Sequence, residues 1–404
     1  MTSKIKILYI FHVSVIGGGS FCLLNIIKQL DKNTYTPIVL LKSGGPLAIE
    51  LKKLGATVHF EKSISTVLYN KSVFRFHSFK LIYGSLYSLP KIKKWLKKIE
   101  PDIFHLNTMM LYPYLRPASQ LKIKTVVHMR ENWPKGEHQI QFKFAKKIIN
   151  KYADKIVAIN QTSANILELN YKTKIVHDYI SFEGRSNNYN FKKLFGKDFQ
   201  SLKIFSFFGG TNWQKGALQV VETFANKILD EDVRLIVVGG MNKNINFSGF
   251  RGGVKKMLSK IDYYRYNDKV KYIAQKDDRI VFVPGTYHVK SIIEQSQCVV
   301  SFFSIPHANL TMAEASCLGK PSIAANTPEA KEYCNNGKSA LLFEMNNKKD
   351  FEEKIKHFLQ NMKLVNSTAQ AGMDSAKMMF DTELNGEALK NVYENLIGNI
   401  GIIK

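Results

Sequence analysis

The chain is poor in the residues that staple, coordinate or span. Its four cysteines, Cys22, Cys298, Cys317 and Cys334, fall into no CxxC or paired spacing. Neither a disulfide framework nor a zinc site is indicated, and reduced thiols in a cytosol are expected. No apolar run approaches the ~20 residues of a membrane span. The apolar start, 4–16, contains His12, lacks a cleavage site and runs into Gly17-Gly18-Gly19 and a helical pattern. It reads as a buried first strand, not a signal peptide. Acid is scarce as well, with 33 Asp and Glu against 58 Lys and Arg for a net charge of +25. The imbalance is uneven, because residues 1–190 hold 29 basic and 11 acidic side chains and the remainder 29 and 22. A basic first half suits anionic partners such as lipid head groups or a lipid diphosphate, or else is a solvated lysine-rich surface. No recognisable nucleic-acid module is present, so a nucleic-acid partner is not expected.

What is present is enough for a full core. Hydrophobic content of 45% over 404 residues suits two domains of ordinary size. Strand-like apolar runs at 5–11, 37–41, 57–60, 103–106, 125–128, 155–159 and 175–176 alternate with helical periodicity at 21–30, 46–54, 79–99, 141–152 and 163–169. Residues 184–201 are polar and basic without a strand pattern and are expected to hold the linker. The pattern restarts with a strand at 203–208, a helix at 217–228 and strands at 234–238, 281–283, 298–303 and 321–325. Helices at 348–360 and 364–397 close it. Alternation of this kind predicts two parallel α/β sheets.

The chemistry collects at the carboxyl ends of strands, where open α/β sheets bind ligands. The most informative stretch follows the strand at 298–303: a polar loop with His307 and Asn309, a helix opening at Leu310 and Thr311, the acid Glu314, and a Gly319-Lys320-Pro321 stop. A helix N-terminus offers free N–H groups and partial positive charge to a diphosphate, with Glu314 within reach of ribose hydroxyls. Gly209-Gly210 and Lys215-Gly216 follow the first strand of the second half. A lysine at a helix start works against the dipole, so Lys215 reads as an anion ligand. Gly17-Gly18-Gly19 sits between the first strand and helix, either as a plain tight turn or as a place where backbone approaches a phosphate or sugar. Its spacing is not that of a dinucleotide fingerprint. His128 ends the strand at 125–128, and Arg130 and Glu131 follow it. His105 reads as a satisfied core histidine. Residues 71–98 interleave aromatics with lysines, as an amphipathic helix packed on the sheet or as a surface for an anionic membrane.

These residues resemble the family-4-type retaining glycosyltransferases of the GT-B fold. Glu314 matches that family's second acid, and Gly319, Pro321, Ile323 and Ala324 match its tail, while Pro306 stands where its first Glu would be. Lys215 and Gly216 match its phosphate-binding turn, with Gly210 in place of the Arg. Asn107 stands at the second histidine of its P-D-x-x-H-x-H strand. The resemblance implies two Rossmann-like doubly wound domains facing a central cleft, residues 1–185 on the acceptor side and 186–375 on the donor side, with 376–404 crossing back to the first. It implies that Gly18, Gly19, Gly210, Lys215, His307, Asn309, Leu310, Thr311 and Glu314 bind a UDP- or GDP-linked sugar. It places His128 on the transferred sugar, with Arg130 and Glu131 lining the cleft and Arg130 or Arg251 compensating for the missing Arg. His128, Lys215 and Glu314 would carry catalysis. The implied reaction is transfer to a glycan or lipid-linked hydroxyl with retention, without cofactor or metal, in bacterial surface polysaccharide synthesis, cytoplasmic or peripheral on the membrane's inner face. A non-catalytic sugar-nucleotide-binding subunit and a nucleotide-sugar epimerase remain as alternatives.

Overall fold

The computed structural model describes residues 4–67, 76–132, 139–181, 189–196, 198–240, 263–286, 288–305, 307–334 and 339–401. The chain divides into two compact units, one of residues 1–181 with 380–404 and the other of 182–379.

The first unit is built on seven parallel strands: β1 (Ile5–Phe11), β2 (Tyr35–Leu41), β3 (Thr57–Phe60), β4 (Ile103–Leu106), β5 (Lys124–Met129), β6 (Lys155–Ala158) and β7 (Thr173–Ile175). Their order is β3-β2-β1-β4-β5-β6-β7. The strands read as continuous apolar runs because both faces are covered. Alternate residues of β1 enter opposite layers, Leu8 and Ile10 into one and Ile7, Tyr9 and Phe11 into the other. The first layer holds side chains of the helices Phe76–Ile99, Leu115–Gln120 and Gln139–Tyr152. The second holds those of Gly18–Gln29, Pro46–Lys53 and the last helix, Thr382–Gly401. Leu389, Val392, Tyr393 and Leu396 bury that last helix against Leu23, Ile26 and Ile27. At about 1.5–3 kcal/mol for each fully buried large apolar side chain, this contact holds the helix firmly.

The second unit repeats the plan with six strands: β8 (Lys203–Phe207), β9 (Val233–Val238), β10 (Ile280–Val283), β11 (Cys298–Ser301), β12 (Ser322–Ala325) and β13 (Ala340–Phe343). They run in the order β10-β9-β8-β11-β12-β13, all parallel. An aromatic core of Phe205, Phe207, Phe302, Phe343, Phe351 and Phe358 packs one face. The fold is therefore the doubly wound α/β class that the alternation predicts.

One expectation needs correction and one is refined. The stretch 184–201, expected to hold the linker, also carries regular structure. Phe191 heads a short helix, Phe191–Phe195, and is buried beside Ile204 and Ile236. Residues 182–188 lie outside the described residues. The helix expected over 364–397 is three: Met362–Ala371, Met373–Met379 and Thr382–Gly401. Asp381 makes the last break, since its Oδ1 accepts from the amides of Glu383 (2.9 Å) and Leu384 (2.8 Å) and so caps a new helix.

Candidate functional site

In each sheet the chain order reverses once, between β1 and β4 and between β8 and β11. Loops leave such a switch point in opposite directions and open a crevice at the carboxyl ends of the strands. Most of the residues singled out in the sequence lie at these two places.

In the first unit, Gly17 caps the helix Gly18–Gln29 in extended backbone (φ −164°). None of the three glycines has a positive φ, so left-handed backbone is not what calls for glycine there. Gly19 packs close to strand β1, where an added Cβ would lie 3.4 Å from the Phe11 ring. The first turn carries neither an acid nor a side-chain cap, which leaves its amide end open to an acceptor.

Beside it lies a buried polar network. His128, at the end of β5, is 2% exposed. Its Nδ1 lies 3.3 Å from His105 Nε2 and 3.5 Å from Arg130 Nη2, while its Nε2 is buried and has no hydrogen-bond partner among the described residues. Burial, reinforced by the Arg130 charge, drives the His128 pKa well below the ordinary value. The same causes lower His105 to about 3. Both rings are neutral at physiological pH. His105 Nδ1 meets the Tyr393 hydroxyl at 2.7 Å, and that hydroxyl meets Tyr9 at 3.1 Å. His105 is thus the satisfied core histidine expected.

Arg130 pairs with Asp178, both side chains largely buried, and donates to Asn107 Oδ1 at 3.4 Å. Burial opposes its charge, but the Asp178 carboxylate outweighs this and raises its pKa above the ordinary value. Arg130 is therefore a committed partner of Asp178, not a spare cation to replace a missing arginine. Arg251 lies outside the described residues. Glu131 is held by its own neighbours. Its carboxylate accepts from the Thr108 hydroxyl and from the amides of Met109 (3.3 Å) and Arg130 (3.2 Å), so it anchors the loop after β4. Burial raises its pKa despite those bonds.

In the second unit, the loop after β8 carries Gly209, Gly210 and the turn Trp213–Lys215. Gly210 has φ +52° and Gly216 φ +74°. A Cβ on Gly210 would lie 2.7 Å from the Gly240 carbonyl oxygen, and one on Gly216 would lie 2.5 Å from the Phe302 ring. Glycine is required at both. The Lys215 ammonium donates to the Phe208 carbonyl at 2.8 Å. Burial lowers its pKa, and the nearby Glu314 carboxylate opposes that shift.

The loop after β11 starts with Phe303 in the left-handed region (φ +33°), and the Ser304 amide ties it to the Gln214 carbonyl at 2.9 Å. The His307 ring tilts over Phe303 with centroids 5.1 Å apart. Burial and the Lys215 charge bring His307 down to about 4. Asn309 caps the helix Leu310–Cys317, accepting at Oδ1 from the Met312 amide (3.3 Å) and the Thr311 hydroxyl (3.0 Å), and its Nδ2 donates to Ser301. Both ends of the Asn309 side chain are engaged, so in this structure it serves as the cap of that helix. Leu310 and Thr311 open the helix, whose first turn holds no acid, and Glu314 is 4% exposed. Lys215, His307 and Glu314 thus form one electrostatic cluster. Pro306 lies outside the described residues.

Asp178, Asn107, Tyr9 and Tyr393 enter the first network without having been named from the sequence as ligands. Asn107 stands in the P-D-x-x-H-x-H-like strand, but the partners of Asp178, Tyr9 and Tyr393 lie far off in the chain, and no local pattern marks those three.

The geometry defines a GT-B-type pair of Rossmann-like units. The Glycosyltransferase Family 4 profile matches residues 16–177, and the profile for Glycosyl transferases group 1 matches residues 192–374. Between them they span most of the chain, which belongs to the family-4-type glycosyltransferases of the GT-B fold. A relative in Alkaliphilus oremlandii is the UDP-N-acetylglucosamine–N-acetylmuramyl-(pentapeptide) pyrophosphoryl-undecaprenol N-acetylglucosamine transferase. It is 21% identical over 344 residues, covering 84% of this chain and 76% of the relative. Among solved structures, Anabaena Alr3699/HepE in complex with UDP and glucose superposes with a TM-score of 0.74 at 15% identity, covering 97% of this chain and 100% of the other. A Listeria monocytogenes structure described as a UDP-N-acetylglucosamine 2-epimerase has a TM-score of 0.63 at 12% identity, covering 98% of each chain.

Proposed function

We propose that the protein moves a sugar from a nucleoside-diphosphate sugar to a hydroxyl of a glycan or lipid-linked glycan, with retention, in surface polysaccharide synthesis. The observation that carries this reading is the cluster at the second switch point. There the Lys215 ammonium feels the charge of the Glu314 carboxylate, and the first turn of the helix Leu310–Cys317, which carries Glu314, holds no acid. Such a site suits a diphosphate: the lysine and the amides of Leu310 and Thr311 meet its charge as it departs, and Glu314 holds the ribose. Within the first unit, the uncapped amide end at Gly18 and Gly19 suits a phosphate or sugar oxygen, and His128 is assigned to contact with a sugar. The acceptor hydroxyl attacks from the face the diphosphate leaves, which needs no second carboxylate as nucleophile. No metal takes part in the proposal, since Lys215 and the helix opening meet the charge. Uridine is the favoured base, because Alr3699/HepE is seen with UDP.

A lipid-linked acceptor is favoured by the Alkaliphilus relative, whose name specifies a pyrophosphoryl-undecaprenol substrate. On the helix Phe76–Ile99, Tyr83, Leu86 and Tyr87 are exposed, and Lys91 lies over the Tyr87 ring. An aromatic and lysine-bearing face of this kind suits an anionic head-group layer, and the proposed location is the inner face of the cell membrane.

Thermal denaturation with UDP, GDP, ADP and CMP and their sugar conjugates tests the donor site, since a ligand of the folded state raises the melting temperature by mass action. A rise with one diphosphate and its sugar form is expected. No rise with any would favour a non-catalytic role. Resemblance to the Listeria structure keeps epimerisation as a second reading, and a sugar product still linked to nucleotide would select it.

A further inference from the structure

The first unit contains a hydrogen-bonded chain that runs from strand β1 through the last helix to His128: Tyr9, Tyr393, His105, His128. All four side chains are at most 2% exposed, so bulk water is not at hand to complete a bond left unmade. Each link has one proton, and the chain has only two self-consistent directions. The groups at its two ends decide between them.

At the His128 end stands Arg130, whose guanidinium can only donate. With Arg130 Nη2 3.5 Å from His128 Nδ1, a proton on Nδ1 would put two donors face to face. Nδ1 is therefore the acceptor. His105 Nε2–H must then donate to it, His105 Nδ1 must accept from the Tyr393 hydroxyl, and the Tyr393 oxygen must accept from Tyr9. In this direction every proton up to His128 has an acceptor. In the reverse direction the buried Tyr9 proton would have none, because Tyr393 is the only hydrogen-bond partner Tyr9 shows among the described residues. Both ends give the same answer.

We propose that the chain locks His128 in the tautomer with its proton on Nε2, making it a fixed hydrogen-bond donor to a ligand oxygen and not a general base, with Tyr393 and His105 as positioning residues. His128 Nε2 is the atom left buried and without a partner among the described residues, as the free end of such a chain must be. Under the glycosyl-transfer reading, that oxygen is a hydroxyl of the donor sugar. Only this last identification rests on that reading, since the tautomer is a property of the protein alone. The last helix thus reaches the candidate site through Tyr393, although it bears no residue that would touch substrate.

Two-bond proton–nitrogen correlation spectra of the full chain with 15N-labelled histidine distinguish the tautomers without substrate. Signals are assigned by their loss in His105→Gln and His128→Gln. In the wild type at pH 7, both histidines should show the Nε2–H pattern. A proton on Nδ1 of either ring overturns the proposal, whatever reaction the protein catalyses. In Tyr393→Phe, the His105 Nδ1 resonance should move as its donor is lost, and the single-tautomer pattern of His128 should broaden. Unchanged spectra of both rings in that variant would remove Tyr393 from its positioning role. Should Tyr393→Phe fail to fold, the wild-type spectrum still decides the tautomer.

Discussion

Gly210 and Gly240 lie backbone to backbone, so that a Cβ on the first would stand 2.7 Å from the carbonyl oxygen of the second. The family's usual arginine at this position therefore has no room here. Adding one should not create a phosphate ligand. Gly210→Arg combines a left-handed backbone (φ +52°) with a backbone clash, and is expected to cost at least about 2 kcal/mol of stability without tightening UDP binding. Urea denaturation and UDP titration of the variant measure both. A stable variant with tighter binding would contradict this account of the turn.

Lys215→Ala removes the charge at the second switch point. If that ammonium contacts a phosphate, the loss is about 1.5–3 kcal/mol, or roughly 10- to 100-fold in the UDP dissociation constant. Because Lys215 also holds the Phe208 carbonyl, the melting temperature should be recorded alongside. Unaltered UDP affinity in a folded variant would rule out the assignment.

Asp178→Ala leaves Arg130 buried without its counter-charge. Removing one partner of a buried pair costs about 3–5 kcal/mol, and the effect should appear as a lower urea midpoint for the first unit. A change within about 0.5 kcal/mol would mean that solvent reaches the pair.

Two histidines, the buried His105 and the half-buried His307, set an acid limit on stability. His105 is held at about 3 and His307 at about 4, each by burial first and a neighbouring cation second. In the unfolded chain both titrate near the ordinary 6.5. The unfolded state therefore binds more protons between these values. Stability is at its plateau above about pH 6.5 and falls as pH drops toward 4, with His105 alone accounting for a loss on the order of 3 kcal/mol. Denaturation at pH 7, 5.5 and 4.5 checks the slope, and a flat profile would refute it.

Asn309→Ala should cost about 1 kcal/mol through loss of the cap on the helix Leu310–Cys317. Asn309→Asp, which retains the capping oxygen, should recover most of it in the same denaturation assay.

Much of the fold was legible because its central strands are buried on both faces. The runs at 5–11 and 103–106 coincide with β1 and β4, where apolar continuity and short length leave little ambiguity; the run at 57–60 coincides with β3, a half-exposed edge strand. The helix Tyr263–Gln275 and strand β13 were not anticipated. Few side chains of that helix reach the core, Val270 and Ala274 among them, so its periodicity is faint, and β13 is a four-residue edge strand. At the candidate sites, sequence placed Lys215, His128 and Glu314 at strand ends because glycines and polar residues follow apolar runs there. Arg130 and Glu131 are engaged by Asp178 and by Thr108 and Met109, neighbours distant in the chain that no local spacing reveals, whereas Asn309 caps the helix that begins at the very next residue.

The last helix has a further consequence, for the order in which the protein can be made. The Ile180 amide bonds the Phe380 carbonyl at 3.1 Å, and residues 380–404 belong with 1–181. During synthesis the second unit is complete in sequence before Leu389, Val392, Tyr393 and Leu396 emerge. Until then Leu23, Ile26 and Ile27 lack the layer that covers them. The unit translated first is therefore the one finished last, and in the interval it presents an uncovered apolar face to the chaperones that attend nascent chains.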